Sequence, residues 1–474
     1  MPYVLTRLIA LLLVIACALP VMADRPPNIV LIFTDDQGYN DIGCFGSPDI
    51  RTPNLDAMAE QGIRFTDFYV AASVCSASRA ALLTGCYPDR VGVKGVFFPN
   101  RGYDGLHPDE ITIADLLKTK GYATGIFGKW HLGDEKPFLP TRQGFDTYYG
   151  IPYSNDMSVN PTMEVADNVV WREGMTLDRM RDPKQKKKNL VPLLRDEQVI
   201  EYPVDQRTIT KRCTDEAIAF MAQNKDKPFF VYLPHTMPHI PLFVSKDFEN
   251  GNKKRGLYGD VIEEIDWSVG QVLDALKQLK IDKDTLVIFT TDNGPWLSVG
   301  KARSGSALPL RDGKFTAYEG GMRVPMIARW PGQIPAGKTN GEIASTIDLL
   351  PTFAGLAGAE VPSDRVIDGK DILSLLKAEP SAKSPHDAYF YRTRAVRKGH
   401  WKLHTKARST RKDQPVGKLP ALYDLSADLG ETTNVAEQHP EVVAELKKLL
   451  EAHAADLKAN SRPVGKIQGK AKRK

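Results

Sequence analysis

Four apolar runs of this chain end in polar residues that carry chemistry. Residues 29–33 (Ile29, Val30, Leu31, Ile32, Phe33) contain no polar position and stop at Thr34, Asp35, Asp36, Gln37 and Gly38, and residues 286–289 repeat the plan before Asp292, Asn293 and Gly294. Unbroken rather than alternating apolarity predicts strands buried on both faces, as in a parallel sheet. The runs 122–127 and 229–233 lead in the same way to Lys129 and His131, and to His235 and His239. Helical patterns at 208–223 and 261–279 lie between them. The alternation predicts an α/β fold: a large layered domain with a mostly parallel central sheet flanked by helices. Ligands in such sheets bind at the C-terminal ends of strands. From about Pro385 the pattern changes to short alternating segments (388–392, 395–397, 400–404, 422–425) and then a helical stretch at 441–457, which predicts a smaller C-terminal α+β domain with a short antiparallel sheet.

A second helical signal is short. Ala80, Ala81, Leu82, Leu83 and Thr84 read as a helix closed by Gly85, which sets Cys75 at its start and Arg79 one turn on. Free N–H groups and the helix dipole favour an anion there. At the N-terminus Arg7 precedes an apolar run over 8–19, and Val21, Met22 and Ala23 suit signal-peptidase cleavage. The expected division is a signal peptide at 1–23, a catalytic domain at 27–384, the antiparallel-sheet and helix subdomain at 385–460, and a basic disordered tail at 461–474. Export to the periplasm or the exterior follows from the leader, with a lipid anchor at Cys17 as the alternative. No later stretch reaches membrane-spanning length, so no stable span is expected.

Charge narrows the partners. Of 63 basic residues, six (Arg462, Lys466, Lys470, Lys472, Arg473, Lys474) lie in the tail and Arg7 lies in the leader; without these seven, 56 basic face 58 acidic residues. A neutral body gives no support for nucleic-acid binding. After the leader, Cys44, Cys75, Cys86 and Cys213 are too few and too irregular for a disulfide scaffold or a zinc site.

Asp35, Asp36, Asp292 and Asn293 offer only oxygen, the donor of hard cations such as calcium or magnesium. Each pair alone would serve as a helix cap or a turn, but three neighbouring carboxylates without a cation would repel one another. Around them the sequence supplies Arg79, Lys129, His131, His239 and Lys314. A metal with several cations suits an oxyanion that spreads charge during transfer.

At this point the residues resemble the formylglycine-dependent sulfatases of the alkaline phosphatase superfamily, and within them the arylsulfatase A-like branch. Cys75, Ala77 and Arg79 meet the signature of cysteine, any residue, proline or alanine, any residue, arginine; Leu83, Thr84, Gly85, Tyr87 and Pro88 continue it. The blocks 28–36, 52–56, 128–133, 292–294 and 318–321 follow in the family's order. The resemblance spans nearly all of the chain after the leader.

The resemblance implies that a formylglycine-generating, sulfatase-maturating enzyme oxidises Cys75 to Cα-formylglycine, whose hydrate is the nucleophile. Asp35, Asp36, Cys75, Asp292 and Asn293 would then form the metal site, for Ca2+ or Mg2+. One hydroxyl of the hydrate, assisted by Asp292, would attack sulfur; the other, deprotonated by His131, would release sulfate. His239 and Lys314 would bind sulfate and protonate the leaving oxygen, with Lys129 and Arg79 holding the nucleophile and the developing charge. Ser154 matches a serine that touches sulfate. His235 is placed at the pocket, and His404, on a looser match, at the substrate mouth. Two departures stand out: Ala77 where proline is commonest, and Asn155 where relatives carry histidine. The implied substrate is an aryl or carbohydrate sulfate. Phosphonate monoester or phosphodiester hydrolysis is the alternative chemistry, and sulfated-glycan binding without turnover is the alternative if Cys75 stays unmodified. The segments 156–206 and 296–310 are expected to be substrate-shaping loops, where Trp171 and Trp296 would suit a sugar.

Overall fold

The computed structural model describes residues 25–99, 104–182 and 189–467. The leader at 1–23, Cys17 and the last part of the tail at 468–474 lie outside the described residues.

The strand Asn28–Thr34 is the axis of a twelve-stranded sheet. It pairs in parallel with Thr285–Thr291 on one side, Asn28 opposite Thr285 and Thr34 opposite Thr291, and with Phe229–Pro234 on the other. Ala123–Lys129 and Thr147–Ile151 continue the parallel order. Residues 29–33 are wholly buried, as their unbroken apolarity predicts. Each such side chain contributes roughly 1.5–3 kcal/mol by leaving water, enough to fix the register. In-register parallel strands bring their C-terminal ends to one edge. Asp35 and Asp36, Asp292 and Asn293, Lys129, Ser154 and His239 therefore share one rim of the sheet.

The flanks are antiparallel or mixed. Arg323–Arg329 runs antiparallel to Thr285–Thr291, and Ile63–Tyr69 antiparallel to Arg323–Arg329. At the opposite side Leu193–Arg195, Gln198–Tyr202 and Glu164–Trp171 extend the sheet. This corrects the expectation of a loop over 156–206. Trp171 belongs to that outer strand, its ring edge-on to Tyr202, rather than to the substrate mouth. Helices Ile209–Gln223 and Gly256–Gln278 lie near the predicted spans.

The C-terminal sheet has the order Tyr389–Tyr391, Ala395–Lys398, Trp401–His404, Ala421–Asp424, all antiparallel. Helix Pro440–Ala459 covers it with Leu446 and Leu450 on Val396, Leu403 and Leu422. Tyr389, Tyr391 and Leu457 join Tyr69, Tyr87 and Ile347 of the large domain in one buried cluster. Residues 461–467, expected to be disordered, are held: Gly465–Lys466 pairs with Asp104–Gly105, and Arg462 binds Glu110 at 2.8 and 2.9 Å. No helix among the described residues is long and apolar enough to cross a membrane.

Candidate active site

Cys75 opens the helix Cys75–Thr84, every residue of which is buried and which Gly85 ends in a left-handed conformation (φ 65°). Val74 supplies no side-chain cap, so the helix start directs uncapped N–H groups at the rim. The Cys75 sulfur lies 3.4 Å from Asp35 Oδ1, 4.0 Å from Asp36 Oδ1 and 3.2 Å from Lys314 Nζ. Burial and Asp35 push the thiol well above its ordinary pKa. As an unmodified cysteine it is a poor nucleophile.

The carboxylates interlock with cations. Lys129 Nζ binds Asp35 Oδ2, and Lys314 Nζ binds Asp36 at 2.7 Å. Arg79 clasps Asp292 Oδ2 with Nε at 3.1 Å and Nη2 at 2.9 Å, and its Nη1 donates to the Lys129 carbonyl at 3.0 Å. Burial opposes the charge on Asp35, but Lys129, His239, Arg79 and Lys314 hold it well below the usual carboxylate range. Asp292 moves the other way: burial and Asp35 push it up to about 7 against the pull of Arg79. The Asn293 amide donates to Asp36 Oδ1 at 2.6 Å, while its own oxygen is buried without a partner.

That donor set fits a hard divalent cation. Three buried carboxylates (Asp35, Asp36, Asp292) stand beside an unpartnered amide oxygen, and ligand atoms of Asp35, Asp36, Cys75 and His239 all fall within 4.8 Å of one another. A dication there would add to the positive charges of Arg79, Lys129 and Lys314, the complement of an oxyanion.

His131 and Asp36 both take a left-handed backbone (φ 64° and 67°), a local strain of the kind held at functional sites. The strand ends at Lys129, so His131 lies beyond its regular alternation. The His131 Nε2–H donates to the Phe97 carbonyl at 3.0 Å, leaving Nδ1 buried without a partner. Burial, Lys129 and Arg79 lower its pKa well below 6.5, so the ring is neutral and Nδ1 carries a free lone pair. His239 donates from Nδ1 to the Ile240 carbonyl at 2.6 Å and turns Nε2 toward Asp36 at 3.6 Å. Ser154 lies between Lys129 Nζ (3.4 Å) and the His239 ring (3.4 Å). Asn155 donates to the Pro241 carbonyl at 3.0 Å and so braces the His239 loop.

Two expected residues do not join this group. His235 is turned to Ser268 of helix Gly256–Gln278, at 3.2 Å, and burial alone lowers its pKa to about 4. His404 is buried and donates to Glu431 at 2.9 Å, so it is part of a second polar cluster rather than the substrate mouth.

That cluster was not anticipated. Glu319 is fully buried and accepts from Lys402 at 2.8 Å, Tyr69 at 2.7 Å and Tyr391; Lys402 also meets Glu431 at 2.9 Å, and Glu431 accepts the Glu319 N–H at 2.7 Å. Burial works against its charge, yet Lys402, Arg323 and Arg397 hold Glu319 far below the usual range. The next residues, Gly320 and Gly321, press on the loop that bears Asp292 and Asn293. The Gly294 N–H donates to Gly321 O at 3.1 Å, and a Cβ on Gly294 would stand 1.7 Å from Gly320 O. Trp296 follows on that loop, its ring 5.4 Å from His239 and 5.5 Å from Phe315, with Lys314 Nζ 4.8 Å from its centroid. Cys44, Cys75, Cys86 and Cys213 are free thiols.

A layered α/β domain with fixed cations around a carboxylate cluster at its strand ends suits chemistry on an oxyanion ester. Residues 27–359 match the Sulfatase family, and residues 311–456 match the family described as N-sulphoglucosamine sulphohydrolase, C-terminal. Arylsulfatase A of Homo sapiens is 42% identical over 472 residues, covering 93% of this chain and 90% of its own. The structure of Ps i-CgsB in complex with k-i-k-neocarrahexaose has a TM-score of 0.76 at 31% identity, covering 94% and 96%; that of the PsFucS1 sulfatase from Pseudoalteromonas sp. has 0.78 at 28%, covering 93% and 92%. The chain belongs to the sulfatase family and is an enzyme of sulfate-ester hydrolysis.

Proposed function

We propose that the protein cleaves an aryl or carbohydrate sulfate with a nucleophile made from Cys75. The observation that carries this reading is the position of the Cys75 sulfur, between two carboxylates and the Lys314 ammonium at a helix start, where its atoms stand in for those of a modified side chain. Oxidised to Cα-formylglycine by a maturating enzyme, Cys75 supplies a hydrated aldehyde in place of an inert thiol. Asp35, Asp36, Asp292 and Asn293 would hold calcium, or magnesium, which supplies Lewis acidity.

The chain's own groups divide the remaining work. Lys314, His239 and Ser154 surround the space for the sulfate oxygens and bind their negative charge. Lys314, and His239 once its Nε2 is protonated, would give a proton to the leaving alcohol. Lys129 and Arg79 fix Asp35 and Asp292, and with them the orientation of the Cys75 position. His131 takes a proton at its free Nδ1. Asp292 would assist the attacking hydroxyl of the hydrate, as the family resemblance implies. The apolar run at 8–19 supports export, to the periplasm or the exterior, as the setting for this activity.

Sulfate release from para-nitrophenyl sulfate, compared with turnover of the matching phosphodiester and phosphonate monoester, tests this function. Preference for the sulfate supports it; preference for a phosphoryl substrate overturns it in favour of the alternative chemistry.

A further inference from the structure

The sulfate-binding groups account for only one side of Trp296. The indole N–H is already bound to Ser298 Oγ at 2.8 Å, so it is not free to donate to a ligand. One part of the half-buried ring packs on His239, Phe315 and Lys314; the rest borders a separate cavity of about 560 Å³. That volume falls within the roughly 300–1,000 Å³ of small-molecule sites. Its apolar wall is Trp296, Leu242 and Leu257, the last 42% exposed, and its polar groups are Asp156, Asn189 and Arg303. Ile240, the residue after His239, also lines it, so the cavity adjoins the His239 loop.

We propose that this cavity is the leaving-group subsite and that it takes a pyranose ring stacked on Trp296, making the substrate a carbohydrate sulfate. The inference rests on the sulfatase reading above and narrows it. A pyranose has a C–H face for the indole and hydroxyls for Asp156 and Asn189 around its edge, with Arg303 facing any further acidic group on the sugar. An aryl leaving group would fill the apolar wall but would displace water from these three polar groups without replacing its hydrogen bonds. The indole thus serves both halves of the substrate: it packs the sulfate-binding His239 and Lys314 on one side and receives the sugar on the other.

The test is steady-state kinetics of the mature enzyme on galactose and N-acetylhexosamine monosulfates, sulfated in turn at each hydroxyl, beside para-nitrophenyl sulfate. The wild type is expected to turn over at least one saccharide. The ratio of its kcat/KM to that of the aryl sulfate should fall about tenfold or more in Trp296→Ala, chiefly through KM, and stay within about threefold in Trp296→Phe. Asp156→Asn should lower the same ratio. A ratio unchanged in Trp296→Ala, showing that both substrates lose equally, overturns the subsite. So does an enzyme that hydrolyses para-nitrophenyl sulfate but none of the saccharides, a result that leaves the sulfatase reading standing. Failure on every sulfate ester overturns that reading itself.

Discussion

The ammonium of Lys314 stands 3.2 Å from the sulfur of Cys75 while bound to Asp36 at 2.7 Å. Burial opposes its charge, but Asp36 and Asp35 keep it protonated. A fixed cation is thus held against the nucleophile's position and beside the sulfate space. Lys314→Ala should lower kcat by about 10²–10³, the cost of removing one preorganised charge-stabilising group. Thermal unfolding of the same variant, read with that of Lys314→Arg, separates lost catalysis from the cost of leaving Asp36 unpaired. Full activity in the folded alanine variant would contradict the assignment.

The donor cluster predicts a resident metal. Elemental analysis should find one divalent cation per chain, and exhaustive chelation should remove activity and lower Tm, both restored by added Ca2+ or Mg2+. Asp292→Asn should weaken retention of the ion. Activity undiminished in a preparation shown to be metal-free would refute the site.

The buried Glu319 cluster ties the C-terminal sheet to the loop that bears Asp292 and Asn293. Lys402→Met leaves Glu319 and Glu431 facing each other without their shared cation. By analogy with other broken buried pairs it should cost about 3–5 kcal/mol of stability. The accompanying displacement of Gly320 and Gly321 should weaken metal retention as well, which equilibrium dialysis would register. A variant with wild-type Tm and metal content would show that the cluster is neither clamp nor support.

Glu264 gives a pH dependence away from the active site. Burial and the nearby Asp247 raise it from 4.5 to about 7. Below pH 4.5 the carboxyl is protonated in both folded and unfolded chains, and its contribution is fully present. Between 4.5 and about 7 the unfolded chain releases the proton first, so stability falls as pH rises; the shift corresponds to roughly 3 kcal/mol at most. Denaturant melts of Glu264→Gln should therefore lose less stability than the wild type across this window. Parallel curves would contradict it.

The strand ends were legible because chemistry there follows directly from a one-dimensional pattern. Unbroken apolarity identified the strands, and parallel register then carried Asp35, Asp292, Lys129 and His239 to one rim. Side-chain direction within a turn was not legible: His235 and His239 are four residues apart, yet one faces Ser268 and the other Asp36. The start of helix Gly256–Gln278 was missed because Gly256 and Gly259 weaken the local signal. Its first turn is held from outside, by Tyr258 on Asp41 (2.6 Å) and by Asp260 accepting the Asn250 N–H (3.0 Å). The Glu319 cluster joins Tyr69, Lys402 and Glu431, residues far apart in sequence, and no local pattern announces such a meeting.

The central claim is that the working nucleophile is a modified Cys75, and the mass of the tryptic peptide spanning Phe65 to Arg79, taken from catalytically active enzyme made in its native host, tests it most directly. Conversion of the thiol to an aldehyde predicts a peptide about 18 Da lighter than the encoded sequence. A peptide of unmodified mass throughout a preparation that releases sulfate at full rate would contradict it.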